Sequence, residues 1–342
     1  GVRLVGSEMC IRDRYKIKHI LTCRLYYTPI SAKWANMKQP KSLIQLIRTC
    51  HDDKTCREFL EEYRWQGMPI CPHCQYVSDK HYRLKTKGEY NGKYKCRHCK
   101  KIFTVTVGTI FEGSHVPLDK WFYAIYVFLA HKKGISSIQL SKDIGVTQKT
   151  AWFMLNRIRH NLLGKELEIF TGIVQADETY IGGKNKGRIW QNQGRSLKQK
   201  IPVAGLLTDD KVYPVVVPDT SSKTLQLIIY ALVRAGSTIV TDGWEGYYGL
   251  SNHYTHKIIE HSRGIYAKDG YHTNGIEGFW SHLKRGLKGI YHTVSYKHLQ
   301  KYCNEFAYRY NTRKLSDMQR FMQFITAHVE RLKYADLTYN AT

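Results

Sequence analysis

Acidic residues are scarce in this chain: 28 Asp and Glu stand against 53 Lys and Arg, a formal charge of +25 over 342 residues. That excess is larger than the few units that keep a domain in solution. It points to a polyanionic partner, most simply nucleic acid, because a basic surface gains affinity by releasing counterions from phosphates. Long apolar runs are lacking too. No stretch of roughly 18 residues is apolar and free of charge, so no membrane span is expected. The first residues carry Arg3, Glu8, Arg12, Asp13 and Arg14, which is unlike a secretory signal. Nor is there a disulfide framework. Of nine cysteines, Cys10, Cys23, Cys50, Cys56 and Cys303 are scattered, and the other four form two C-x-x-C pairs. That usage fits a reducing cytosol and a metal site. What remains is 42% hydrophobic and 24% charged, a composition for two or three globular domains.

Residues 1–36 differ from the rest. GVRLVGSEMCIRDRY resembles translated adapter read-through, so this segment is expected to be a non-native or disordered extension, with Met37 as the native start. A helical segment at 37–66 comes next, carrying Leu43, Leu46, Ile47, Cys56, Phe59, Leu60 and Tyr63. Within 67–114, Cys71-Pro-His-Cys74 and Cys96-Arg-His-Cys99 stand 21 residues apart. Four thiolates in two such knuckles close a tetrahedron around one Zn²⁺ and leave no open position, so the zinc is structural. A hairpin is expected between them over Tyr82–Tyr94, turning at Asn91-Gly92, followed by a strand over 101–107. A redox use of the pairs lacks its βαβ context.

In 115–165, Pro117 opens a strongly apolar helix. Gln139–Ile144 is then a short helix, Gly145-Val146 a turn, and Thr147 the cap of a longer helix holding Trp152, Leu155 and Ile158. This is helix-turn-helix patterning, which would present Thr147, Gln148 and Lys149 to a major groove. A helical hairpin with no DNA role is the plainer alternative. From Thr171 the pattern becomes strands at 172–181, 202–207, 212–217 and 237–242, with a candidate fifth at 257–260, and helices between and after them. The fold class expected is α/β, a mixed sheet covered on both sides over 170–315, with a C-terminal helical tail at 316–342. The loop 181–200 holds six basic residues, four glycines and no acid. Its Lys184, Lys186 and Arg188 are candidates to clamp a DNA backbone.

The chemistry centres on His272–Gly289. Asn274, Glu277, Ser281, Lys284 and Lys288 form a polar stripe on a helix whose Ile276, Phe279, Trp280, Leu283 and Leu287 face a core. Thr273 can cap it and Gly289 can end it. Alone, Glu277 and Lys284 read as a surface pair. With Asp177 on the first strand and Asp242 ending the central buried strand, three carboxylates converge. Such a group suits two Mg²⁺ or Mn²⁺ about 4 Å apart, acting on a phosphodiester. Glu178 is set aside because it points to the other sheet face, and Asp209 and Asp210 belong to a hairpin turn.

The motifs CPHC and CRHC, ADETYIGG at 176–183, TDGW at 241–244 and HTNGIEGFW at 272–280 with Lys284-Arg285 resemble ISXO-type insertion-sequence transposases of the DDE superfamily, over roughly Met37–Asn311. The resemblance implies an RNase H-like catalytic domain with Asp177, Asp242 and Glu277 as catalytic metal ligands and Lys284 as the associated lysine. The role of Asn274 stays open, and Arg285 joins the DNA-binding candidates. The function implied is binding of terminal inverted repeats in double-stranded DNA, then Mg²⁺-dependent cleavage and strand transfer. A homodimer or larger assembly is expected, in the cytoplasm and at a prokaryotic nucleoid. The alternatives are a catalytically silent DNA-binding regulator and a nuclease that does not join strands.

Overall fold

The computed structural model describes residues 40–162, 169–182, 200–327 and 331–338. Residues 1–36, Met37 and the loop residues Lys184, Lys186 and Arg188 therefore lie outside the described residues. All of the described residues but Pro40 belong to one compact unit, Lys41–Thr342.

The first half is built from short helices around the cysteine knuckles. Helix α1 (Leu43–Thr49) is capped by Ser42, and α2 (Asp53–Trp65) starts in a capping box made by Asp52 and Thr55. Strands β1 (Tyr82–Thr86), β2 (Glu89–Lys95) and β3 (Ile102–Phe103) form an antiparallel sheet in that order. The hairpin turns at Lys87-Gly88, both at positive φ, and not at Asn91-Gly92 as the sequence suggests. Asn91-Gly92 instead forms a bulge inside β2, where Asn91 donates to Thr86 Oγ1 and accepts from the Lys93 amide. An Asn-Gly pair suits positive φ in either role, and the pairing of Thr86 with Glu89 decides which. The strand expected over 101–107 is confined to β3, with turns from 104 onward.

Helix α3 (Leu118–Ala130) buries eight of its 13 residues, as its wide apolar surface demands. Helix α4 (Ser137–Ile144) ends at Gly145, which is left-handed at φ +61°, and Thr147 caps α5 (Gln148–His160). The helix, glycine turn and helix read from the sequence are all present.

Strands β4 (Ile173–Gly182), β5 (Lys200–Leu207) and β6 (Val212–Val216), helix α6 (Ser222–Leu232), then β7 (Thr238–Asp242) and β8 (Thr255–Ile259) build a five-stranded sheet. Its order is β6-β5-β4-β7-β8, antiparallel up to β4 and parallel beyond it. A two-residue pair, β9 (Ala267–Lys268) and β10 (Tyr271–His272), leads into α7 (Asn274–Gly286), then α8 (Tyr296–Asn311), α9 (Asp317–Thr326) and α10 (Ala335–Thr338). One sheet face packs on Leu225, Ile229 and Leu232 of α6 with Tyr247 and Tyr254. The other packs on Ile276, Trp280 and Leu283 of α7 and on Leu299 and Phe306 of α8. The sheet is mixed and covered on both sides, as expected.

Two features tie the halves together. Helix α9 belongs to the N-terminal core: Met318, Phe321, Phe324 and Ile325 share one cluster with Trp121, Phe122 and Leu155, and Phe321 meets Phe122 edge-on. In addition, Arg159 of α5 and Arg309 of α8 converge on Glu305, at 2.6 and 2.7 Å, where Arg159 and Glu305 are both fully buried. Tyr291 donates a third hydrogen bond to that carboxylate at 2.6 Å. The guanidinium of Arg159 also lies over the Tyr302 ring at 4.2 Å. Two guanidiniums and a hydroxyl on the Glu305 carboxylate offset the cost of burying its charge.

Candidate active site

The geometry of the cysteine knuckles can be checked against an ion. The four sulfurs of Cys71, Cys74, Cys96 and Cys99 lie within 4.8 Å of one another. Cys71 to Cys99 is 3.7 Å and Cys74 to Cys96 is 3.6 Å. A tetrahedral Zn²⁺ with Zn–S near 2.3 Å requires edges of about 3.8 Å, so the donor set fits zinc. The module is a zinc ribbon whose Tyr94 and Phe103 stack on each other and meet Trp65 edge-on.

The second cluster lies where β7 ends beside the middle of β4. Their parallel register runs Ile173↔Thr238 to Gln175↔Val240, and two residues further it reaches Asp177 and Asp242. Strand alternation sends Gln175 and Asp177 towards α7 and Glu178 towards α6. Even so, one oxygen of each of Asp177, Glu178 and Asp242 falls within 4.8 Å of the others. Burial, with the charges of Glu178 and Asp242, raises Asp177 to about 7, against the Glu178 amide and the Trp280 indole, which lower it. Three hard oxygen donors that repel one another suit a divalent cation better than a monovalent or soft one.

Each carboxylate has its own support. Trp280 Nε1 donates to Asp177 Oδ2 at 3.0 Å. The hydroxyl of buried Tyr247 donates to Glu178 Oε2 at 3.1 Å. Asp242 Oδ1 accepts from the Trp244 amide at 3.0 Å, so it serves a turn as well as the cluster. Sequence reasoning misses Glu178 because alternation alone separates it from Asp177. The usable signal is the Asp-Glu doublet inside a strand.

Glu277 lies on α7 as expected but is not a member of this cluster. Its carboxylate accepts from Thr273 Oγ1 at 2.8 Å and lies 3.5 Å from His261 Nδ1. Thr273 is thereby used on Glu277 and does not cap the helix. The Ile276 amide instead donates to Gln175 Oε1 of β4 at 3.0 Å, a cap supplied from 101 residues away. Gly289 does not end the helix either: Leu287–Tyr291 continues as a π turn, and the reversal comes at His292, φ +57°. The polar stripe Asn274, Glu277, Ser281, Lys284 and Lys288 is exposed, and all five apolar positions are buried. Desolvation lowers Lys284 below the usual lysine range, opposed by the charge of Asp177, so this ammonium lies close enough to feel the cluster. Arg285 is exposed and donates to the Ser281 carbonyl. Thr147, Gln148 and Lys149 are exposed at the start of α5. Gln148 is held by Ser137 Oγ, and the Lys149 ammonium lies 5.1 Å over the Tyr334 ring.

A sheet ordered β6-β5-β4-β7-β8, with acids in the middle of β4 and at the end of the adjoining parallel β7, defines the RNase H-like class. Family comparison then narrows it. The ISXO2-like transposase domain matches residues 169–311 and the transposase zinc-ribbon domain matches 51–102. A transposase-like protein of Haemophilus influenzae is 35% identical over 106 residues, covering 31% of this chain and 85% of that one. A protein in transposable element ISH50 of Halobacterium salinarum is 27% identical over 280 residues, 77% of this chain and 92% of its own. The chain belongs to the ISXO2-like transposase family, with a DDE-type catalytic domain behind a zinc ribbon. Among solved structures, the Mos1 Strand Transfer Complex aligns at 13% identity and a TM-score of 0.26, over 62% of this chain and 79% of that chain. At that distance the fold assignment rests on the strand order. Among the described residues no helix is long and apolar enough to cross a membrane.

Proposed function

We propose that the protein binds the terminal inverted repeats of its element and catalyses Mg²⁺-dependent cleavage of a DNA strand and its joining to target DNA. The observation that carries this reading is the cluster of Asp177 and Glu178 on β4 with Asp242 at the end of the adjoining β7, and Lys284 on the neighbouring helix. Bound Mg²⁺, as one ion or two, would lower the pKa of a water or 3′-hydroxyl and offset charge on the leaving oxygen. Asp177 and Asp242 would hold it, with Glu178 or Glu277 as the third acid. Glu277 reaches this role by exchanging its bonds to Thr273 and His261 for the cation. Lys284 would hold a phosphate of the scissile strand, and Trp280 keeps Asp177 oriented.

The zinc ribbon, and Thr147, Gln148 and Lys149 at the start of α5, would read the repeat ends. Arg285, Lys184, Lys186 and Arg188 would contact backbone. Two ends cut together would require a dimer or a larger assembly.

The test is a nicking and joining assay on repeat-ended DNA, with Mg²⁺ against EDTA. Asp242→Asn is expected to bind the DNA like wild type and to lose metal-dependent cleavage. Full cleavage by that variant would remove Asp242 from the metal site. Cleavage without joined product would leave a nuclease, and binding without cleavage a regulator.

A further inference from the structure

We propose that Trp280 is a positioning residue that limits Asp177 to one-oxygen coordination and so sets the site's preference for Mg²⁺ over Ca²⁺. The inference rests on the reading of the acidic cluster as a metal site. Three observations converge on it.

The indole Nε1–H donates to Asp177 Oδ2 at 3.0 Å, from a side chain only 4% exposed. An indole donates one proton and accepts none, so it holds Oδ2 turned towards the ring and biases a cation towards Oδ1.

The sheet has been cleared for the ring. Gly205 is the cross-strand partner of Asp177. A Cβ there would stand 2.6 Å from both Cη2 and Cζ2 of the indole and 3.2 Å from Ile276 Cδ1. Gly205 is not among the glycines at positive φ, so backbone freedom does not explain it. It is the empty volume that lets the indole lie against β5 and reach across to β4.

Helix geometry makes the contact part of one face. Trp280 is three residues after Glu277 and four before Lys284, and the Lys284 ammonium also feels Asp177. The helix thus reaches the same carboxylate from two successive turns. A buried aromatic that served packing alone would not need its polar edge aimed at Asp177.

The chemical consequence comes from how the two cations bind. Ca²⁺ takes six to eight oxygens and readily accepts both oxygens of one carboxylate. Mg²⁺ demands an octahedron at about 2.0–2.1 Å with single oxygens. A carboxylate with one oxygen already hydrogen-bonded suits the smaller ion. Trp280→Phe keeps an apolar ring and removes the donor, freeing Asp177 to bind through both oxygens.

The experiment titrates the full zinc-loaded chain, free of DNA, with Mg²⁺ and with Ca²⁺ by calorimetry, for wild type, Trp280→Phe and Asp177→Asn. In wild type Mg²⁺ is expected to bind more tightly than Ca²⁺. In Trp280→Phe that ratio should fall about tenfold, the scale of one hydrogen bond to a charged group. An unchanged ratio, with both ions still bound, overturns the role of Trp280 and leaves the metal site standing. Wild type that binds Mg²⁺ no better than Asp177→Asn overturns the metal-site reading itself, and this inference with it. Should Trp280→Phe not fold, the wild-type indole N–H that shifts in Asp177→Asn is followed by NMR. Continued protection from solvent exchange at saturating Mg²⁺ supports the proposal, and exchange at the rate of an exposed indole overturns it.

Discussion

At the scale of single residues, Asp177 carries a conflict between stability and function. Its native pKa near 7 stands above the ordinary 3.8, chiefly because burial disfavours the ion. The native state therefore holds the proton more tightly than the unfolded chain. The stability this contributes is complete below pH about 4 and is lost as pH rises towards 7. Asp177→Asn is expected to remove that dependence. In metal-free urea melts at pH 8 it should be more stable than wild type by roughly 2–4 kcal/mol, with cleavage abolished. A variant no more stable than wild type at pH 8 would show that the charge is relieved in some other way. Asp177 and Asp242 are legible in the sequence because each sits on a patterned strand within a motif. Glu178 is not, because alternation describes where a side chain leaves the backbone and not where a long one ends. In the sequence Trp280 is only part of an apolar stripe, since its single polar atom has meaning only once Asp177 stands opposite it.

At the scale of elements, local patterning is a good guide wherever the period is long. Helices α3, α5, α7 and α8 and the three-stranded meander β4–β6 appear where apolar spacing puts them. It fails at the ends, where distant groups decide. The N-terminus of α7 is capped by Gln175 and not by Thr273, a partner that exists only when β4 and the helix have packed. Gln175→Ala should cost about 1 kcal/mol, the worth of a lost cap, read as a lower denaturation midpoint. Catalysis should suffer more than stability, because the same bond fixes the helix carrying Glu277 and Lys284. Equal small losses in both would mean that the cap merely stabilises. In the ribbon, Asn91-Gly92 is a turn sequence used as a bulge, again because pairing chose the register. Stripping the zinc should be felt beyond the ribbon, since Tyr94 and Phe103 share a core with Trp65 and α3. A strong chelator is expected to lower the melting temperature of the whole first half and abolish repeat binding. Unaltered melting would mark the ribbon as an independent appendage.

At the scale of the molecule, the chain is more interlocked than its motif order suggests. Ribbon, helix pair and catalytic sheet follow one another in sequence, yet Glu305 of the catalytic half holds Arg159 of the helix pair in a fully buried contact. Removing one partner of such a pair strands the other charge away from water. Glu305→Ala should therefore cost about 3–5 kcal/mol in denaturant melts. Removal of the exposed Lys314–Asp210 pair, 74% and 66% accessible, should leave stability unchanged. If the two changes proved equally mild, the buried network would not be what joins the halves. None of this is visible in the sequence, because two residues so far apart along the chain share no periodicity.

The placement of α9 bears on the order in which the protein can come into being. The core beneath the ribbon and the helix pair is closed by Phe321, Phe324 and Ile325, supplied from beyond the catalytic domain. During synthesis, the part of the chain that would recognise DNA emerges before the catalytic domain but waits for a helix made after that domain to complete its interior. A product truncated after α8 would carry every acid of the cluster beside an unfinished N-terminal core. Completion of that core is thus tied to having translated the message past the catalytic domain.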